Sequence, residues 1–240
     1  MGLFSSESKE ERKVRKLSKR LGSMFAQKEV RYAAADGLAA LGTPAAIAAL
    51  LGRFEESTSN HTIDREEKRH VVDLLTDLGT DVIKPVRDYI LSDVKAINYP
   101  LRVLAKFEES DAIAELIAEM LEEMDTEYTR NPEKKEQLVL AAGDYKSERL
   151  AKALIPFLGD ANELVRFHAA DVLFKMDYAF AAEPMAKRLS EEESGRVMTR
   201  LVDGFAERDW QVTSNGDLDP EQLPYGFAVT GSGTIRRRAS

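Results

Sequence analysis

Three histidines are the residues of this chain most able to bind a metal or move a proton, since imidazole does both near neutral pH. His61 lies in a polar stretch, His70 among charged residues and His168 among apolar ones. None lies four residues from another, the spacing that places two ligands on one face of a helix. We therefore expect no zinc site and interpret His168 as a helix residue with satisfied hydrogen bonds.

Other groups that could do chemistry lack the neighbours that chemistry needs. Residues 231–234 (Gly-Ser-Gly-Thr) do not form a phosphate loop, because no lysine follows and no helix begins there. Glu119, Glu122 and Glu123 are interpreted as part of a solvated face of an acidic chain. The absence of cysteine excludes disulfides, thiol nucleophiles and cysteine metal sites. The sequence predicts no catalytic residue, no metal and no cofactor, and a protein that is not an enzyme.

Short modification patterns occur at both ends of the chain. Residues 1–6 (Met-Gly-Leu-Phe-Ser-Ser) match the pattern for N-myristoylation, with an unmodified N-terminus as the alternative. Residues 236–240 (Arg-Arg-Arg-Ala-Ser) resemble a basophilic kinase site, with a solubilising basic tail as the preferred interpretation. Neither pattern decides a function.

Charge is distributed unevenly along the 240 residues, whose net charge is −8. Residues 1–28 hold eight basic and three acidic side chains, a net charge of about +5, so the remainder carries about −13. An acidic body argues against nucleic acid as the partner. The first twenty residues are charged rather than apolar, so we expect no secretory signal and a cytoplasmic protein.

The basic segment 7–26 is predicted to form an amphipathic helix. Its apolar side consists of Val14, Leu17, Leu21, Met24 and Phe25. One interpretation is a cap that covers the first unit of a helical array. The other is a helix that lies on anionic lipid or grips an acidic partner. We favour the cap, because the apolar stripe is narrow and lacks tryptophan.

The segment 29–51 predicts two helices joined by Gly42-Thr43-Pro44, since glycine ends a helix and proline begins one. Its sequence pattern recurs far downstream, where Val165-Arg166-Phe167 matches Val30-Arg31-Tyr32. Such self-similarity is typical of stacked helical repeats. The predicted pairs are 28–41 with 44–54, 64–78 with 81–91, 99–107 with 111–124, 132–142 with 147–158, and 162–176 with 178–189, followed by a helix at 192–208.

After residue 208 the pattern changes to short strands with a Gly-Ser-Gly turn at 231–233. We expect this hairpin to pack on the last repeat through Trp210, Tyr225 and Phe227. The predicted organisation is a basic N-terminal helix (1–27), a helical array (28–208) and a β-rich C-terminal appendage (209–240).

The repeated wording resembles the HEAT repeat family, in particular the short bacterial type also seen in phycobilisome-lyase-like proteins. The resemblance covers about residues 28–190 and implies an all-α right-handed solenoid of five helix pairs, with second helices lining the concave side. It also implies that Arg31, Asp36, Arg166 and Asp171 brace adjacent repeats. A carboxylate on a helix can do so by accepting backbone N–H groups at the next turn.

Three kinds of function fit such a fold. Alkylpurine DNA glycosylases resemble HEAT solenoids but need a basic concave face, and nothing in this chain identifies the tetrapyrrole site of a bilin lyase. We therefore predict a non-catalytic scaffold or adaptor that binds another protein on the concave face. The alternative is a membrane-peripheral adaptor attached through residues 1–26. The predicted partner-binding residues are Arg53, Lys84, Arg87, Tyr89, Arg149, Lys152, Lys187 and Arg188.

Overall fold

The computed structural model describes residues 8–212, 218 and 223–238, which form twelve α-helices and one two-stranded antiparallel sheet. The all-α fold class and the β-rich appendage are confirmed. The myristoylation pattern and residues 239–240 lie outside the described part. The helices are α1 (Lys9–Leu21), α2 (Lys28–Ala39), α3 (Pro44–Gly52), α4 (His61–Asp77), α5 (Ile83–Leu91), α6 (Asn98–Leu104), α7 (Ser110–Glu122), α8 (Glu133–Ala142), α9 (Glu148–Leu154), α10 (Glu163–Met176), α11 (Ala182–Glu191) and α12 (Gly195–Arg208).

The chain divides into two compact units, residues 1–109 and 110–240. In the first unit α2 packs on α4, α4 packs on α6, and α3 packs on α5. In the second unit α8 packs on α10, α10 packs on α12, and α7 packs on α9. Within each unit, first helices therefore contact first helices and second helices contact second helices, which is the packing of a solenoid repeat.

Local turn chemistry explains where the first helices end. Gly42 and Gly79 have φ angles of 60° and 78°, a region that glycine enters without steric cost. The Thr43 hydroxyl then accepts a hydrogen bond from the Ala46 N–H, and Pro44 occupies the first turn of α3. The first predicted helix pair therefore forms at the positions that its sequence specifies.

Several second helices are shorter than predicted because 3₁₀ segments begin or end them. These segments are Arg53–Glu55, Gly79–Val82, Ile155–Gly159 and Ala179–Ala181. The predicted helix 147–158 stops as an α-helix at Leu154, since Pro156 has no N–H to donate to the preceding turn.

The N-terminal helix α1 is also shorter than predicted. Ser8 and Glu11 form a reciprocal capping box at its start, and the helix ends at Leu21, before Gly22. Val14 and Leu21 are buried, and α1 packs on α2 and α3. Met24 and Phe25 lie beyond the helix and are exposed, so the apolar side of α1 does not include them.

The C-terminal hairpin pairs β1 (Phe227–Val229) with β2 (Ile235–Arg237), and Gln211, which follows α12, forms an isolated bridge with Thr234. The Trp210 ring lies 5.9 Å from Phe174 and 6.2 Å from Phe205, measured between centroids. Phe227 is buried, whereas Tyr225 is fully exposed and does not make the expected contact.

None of the described helices has the length and apolar composition needed to cross a bilayer.

A glycine on α12 provides a test of helix packing in the second unit. A Cβ atom built on Gly204 would overlap the ring of Phe174 on α10. We expect Gly204→Ala to lower the free energy of unfolding by about 1–3 kcal/mol, although the same change in an open helix interior stabilises by about 1 kcal/mol. Urea unfolding followed by Trp210 fluorescence measures this difference.

The matched control is Gly195→Ala on the same helix, where no atom beyond the adjacent residues and the local helix backbone lies within 4 Å of the added Cβ. This variant should be at least as stable as the wild type. Equal midpoints for the two variants would contradict the close approach of α10 and α12.

Candidate partner-binding surface

Arg31 on α2 joins two modules of the first unit. Its Nε atom lies 2.9 and 3.0 Å from the two carboxylate oxygens of Glu67 on α4, and its Nη2 donates to Glu67 Oε1 at 2.7 Å. Its Nη1 donates to the carbonyls of Ser23 and Ala26, in the loop before α2. One guanidinium group therefore holds both the next first helix and the loop that leads into its own helix.

Arg53 completes this arrangement from the end of α3. Its Nη2 donates to Asp64 Oδ1 at 2.7 Å and to Glu67 Oε2 at 2.9 Å, and Lys68 lies 3.0 Å from Asp64. The side chain is 1% exposed. Arg53 was predicted to face a partner, but the structure places it in the interior, because the 3₁₀ segment after α3 brings it against two carboxylates of α4.

The second unit has a related arrangement, in which the shared carboxylate, Glu192, directly follows α11 instead of lying on the next first helix. Arg166 on α10 binds Glu192 through Nε and Nη2 at 3.0 and 2.9 Å, and its Nη1 donates to the carbonyls of Asp160 and Ala161. The Nε of Arg188 on α11 lies 2.9 Å from Glu192 Oε2. We call each carboxylate with its two arginines a carboxylate brace: Glu67 with Arg31 and Arg53, and Glu192 with Arg166 and Arg188.

The two arginines of each brace have the same spacing in the sequence, a regularity that the repeat pattern alone does not show. Arg53 follows Arg31 by 22 residues, and Arg188 follows Arg166 by the same 22. The carboxylates carried no such signal, since Glu67 and Glu192 follow their first arginine by 36 and 26 residues. The arginine pair could be found by spacing, but its shared acceptor could not.

Asp36 and Asp171 make a second, more exposed contact between successive first helices. Asp36 Oδ1 lies 2.7 Å from His70 Nε2 on α4, and Asp171 Oδ1 accepts from Arg200 Nε on α12 at the same distance. The expected backbone N–H donors are replaced by side chains of the next first helix. His70 also stacks on Tyr32, with ring centroids 4.7 Å apart.

The brace carboxylates are held in the ionised form. Burial by itself raises the pKa of Glu67, but hydrogen bonds from Arg31 and Arg53 outweigh burial and leave the pKa below its ordinary value. Burial likewise raises the pKa of Glu192, and hydrogen bonds from Arg166 and the Ser194 N–H bring it below the ordinary value. Both carboxylates therefore remain charged at neutral pH while almost fully buried.

The three remaining predicted residues of the first unit all have carboxylate partners. Lys84 lies 2.6 Å from Asp88 and its side chain is 83% exposed. Arg87 binds Glu108 through two hydrogen bonds of 2.8 and 2.7 Å. The Tyr89 hydroxyl donates to Glu55 at 3.0 Å, and burial together with this contact raises the pKa of the phenol.

The predicted residues of the second unit lie on α9 and α11. Arg149 is held by Glu115 and Glu122 of α7. Lys152 and Lys187 are largely exposed, and each is paired with a carboxylate four residues away on its own helix. Arg188, as part of a carboxylate brace, is mostly buried.

A groove of about 310 Å³ opens between the end of α7 and α9 in the second unit. Its lining is mainly apolar, with Glu122 and Lys152 as the charged members. The Lys152 Nζ atom lies 5.6 Å from the centre of the Phe180 ring, which is partly exposed beside it. The apolar lining residues are Leu121, Met124, Ala153, Pro156 and Phe157.

Residues 30–55 match a family model described as PBS lyase HEAT-like repeat. The HEAT resemblance is confirmed for this stretch, which contains α3 and most of α2. No curated protein matches the sequence. Among solved structures, human deoxyhypusine hydroxylase in complex with glycerol shares 17% identity over 81% of this chain and 84% of its own, with a TM-score of 0.34. A likeness at this level carries nothing about activity.

The brace in the second unit predicts a defined response to acid. The folded-state pKa of Glu192 is lower than its unfolded value, so its stabilisation is fully present above the ordinary carboxyl pKa of about 4.3. That stabilisation is lost as the pH falls through the folded pKa. We expect Glu192→Gln to lower the free energy of unfolding at pH 7 by about 3 kcal/mol, because two partly buried arginines lose their buried counter-charge. The variant should also lose less stability on acidification than the wild type.

Urea unfolding followed by Trp210 fluorescence measures both effects, since Trp210 packs in the same unit. Glu191→Gln is the control, because Glu191 is largely exposed and lies 4.0 Å from Lys187. It should cost less than about 1 kcal/mol and leave the acid slope unchanged. An equal loss in both variants would contradict the brace.

Proposed function

We propose that this protein is a non-catalytic scaffold that binds another protein through the exposed faces of its second helices. The observation that carries the proposal is the groove between α7 and α9, where Met124 and Pro156 are accessible to solvent and Lys152 lies against the exposed Phe180. Exposed apolar and aromatic side chains within a charged surround are typical of protein-binding sites. A cytoplasmic location belongs to the proposal and is supported by the cysteine-free sequence.

The charges around the groove suggest the chemistry of the partner. The exposed side of α7 carries Glu115, Glu119 and Glu122, while α9 supplies only Arg149 and Lys152 against them. The surround is therefore net acidic. A partner segment that places an apolar side chain in the groove, with a basic residue beside it, would complement this surface.

The interior of the repeats supports this use of the surface. The brace of the first unit fixes α2 against α4 and against the end of α3, and the brace of the second unit fixes α10 and α11 to the segment before α12. Side chains on the outer face of the second helices can then change without disturbing the packing beneath them. Phe180 and Lys152 are examples, since both are exposed and neither belongs to a brace.

A photo-crosslinking amino acid at position 152 tests the proposal in native lysate. We expect a discrete crosslinked species from position 152 and none from position 175, an exposed lysine on the first helix α10 of the same unit. Adding Phe180→Ser to the crosslinking variant should reduce its yield at least about tenfold, because aromatic anchors carry most of the binding energy at such sites.

Circular dichroism of each variant shows whether the fold is intact. Crosslinking that is equal at positions 152 and 175, or unchanged by Phe180→Ser, would contradict a partner on this surface. So would a folded protein that yields no species from position 152.

A further inference from the structure

The helix α1 separates its basic and apolar residues completely. A helix turns about 100° per residue, so positions can be placed on an arc around Val14, the buried centre of the packed face. Every position beyond about 100° from Val14 is basic and exposed, and no position within about 60° is basic. The outer positions are Lys9, Arg12, Lys13, Arg15, Lys16, Lys19 and Arg20.

The inner arc of α1 is already occupied. Val14 and Leu21 are buried, and Leu17 approaches Gly37 of α2 so closely that a Cβ there would lie 3.2 Å from Leu17 Cδ1. The apolar residues of α1 therefore contact protein, and the helix cannot turn them toward another surface without undocking. Any ligand of the folded unit meets the basic outer arc.

An exposed apolar pair follows this helix in an ordered loop. Phe25 is fully exposed and Met24 is about half exposed. The loop that carries them is fixed by Arg31, which donates to the carbonyls of Ser23 and Ala26 on either side of the pair. Arg31 is itself buried and held by Glu67. The brace of the first unit thus keeps the side chain of Phe25 exposed to solvent, next to the end of the basic helix α1.

We propose that the outer arc of α1 and the Met24–Phe25 pair bind an anionic membrane surface, with α1 remaining docked on α2 and α3. Seven basic side chains along a helix of about 20 Å match a plane of anionic headgroups. The aromatic ring enters the interface between headgroups and acyl chains. This surface lies in the first unit and is separate from the groove of the proposed scaffold, so either proposal can fail without the other.

The exposed apolar pair favours a membrane over the other polyanions. Nucleic acid and acidic peptides would be attracted by the same charges, but neither requires an apolar pair held out in water at the end of the basic face. The rest of the chain is acidic and would be repelled by an anionic surface. Screening limits that repulsion to about 10 Å at 0.1 M salt, so the arc in direct contact dominates.

Vesicle flotation of the unacylated full chain tests the charge requirement. We expect binding to phosphatidylcholine vesicles that contain phosphatidylserine, release at high salt, and no binding to phosphatidylcholine alone. Lys16→Glu with Lys19→Glu should weaken binding at least about tenfold. The control, Lys84→Glu with Lys106→Glu, makes the same charge change at exposed lysines elsewhere in the first unit and should keep binding within about twofold of the wild type.

The Phe25→Trp variant tests insertion of the loop. Its emission should shift to shorter wavelength when phosphatidylserine vesicles are added, while the wild type, whose single tryptophan is Trp210, should show no shift. The proposal is overturned if the wild type fails to bind these vesicles, if both lysine pairs weaken binding equally, or if Phe25→Trp shows no shift. Tighter binding to duplex DNA or polyglutamate than to vesicles would also overturn it.

Discussion

The buried carboxylate shared by two arginines is the interaction on which each unit depends. Glu67 and Glu192 are almost inaccessible to solvent, and an unpaired charge at such depth is strongly destabilising. Each is therefore tied to arginines from two different helices, with distances of 2.7–3.0 Å in the first unit. Such a pair adds less to stability than an apolar core would, but breaking it is costly. We interpret the braces as fixing which helix faces which.

The braces also decide which charges remain for other molecules. Arg53 and Arg188 were expected on a binding surface, yet their guanidinium groups neutralise buried carboxylates. The exposed part of the second helices in the second unit includes the groove beside Lys152, next to Phe180. In the first unit, the same kind of brace holds the loop that exposes Phe25. The buried brace of the first unit and the loop that exposes Phe25 are thus linked through the single side chain of Arg31.

Features that depend on neighbouring residues could be predicted from the sequence. Glycine at a left-handed turn, a threonine cap and proline in the first turn define the break between α2 and α3 without any distant contact. The helix pairs and the two strands of the hairpin follow from the same local rules. The period of apolar residues failed at Met24 and Phe25, where it continues past Gly22 although the helix has ended.

Features that depend on distant residues could not be predicted in this way. Arg31 and Arg166 could be recognised because they lie in the same recurring sequence pattern. Their acceptors lie 36 and 26 residues away, at positions that share no such pattern. The position of Arg53 on a helical wheel suggested a surface residue, because the wheel does not include the 3₁₀ segment that follows α3. The groove forms where the end of α7 packs against α9, and this contact between distant residues could not be predicted from local sequence patterns.

The most direct test of this account is hydrogen exchange of Arg31→Lys, read separately for residues 22–31 and for α4. Lysine keeps the charge but cannot reach Glu67 and the loop carbonyls together. We predict that amides in both segments exchange at least about tenfold faster than in the wild type, while Arg69→Lys, an exposed residue of α4, changes neither. Faster exchange in only one segment, or in neither, would contradict the claim that one buried guanidinium holds both.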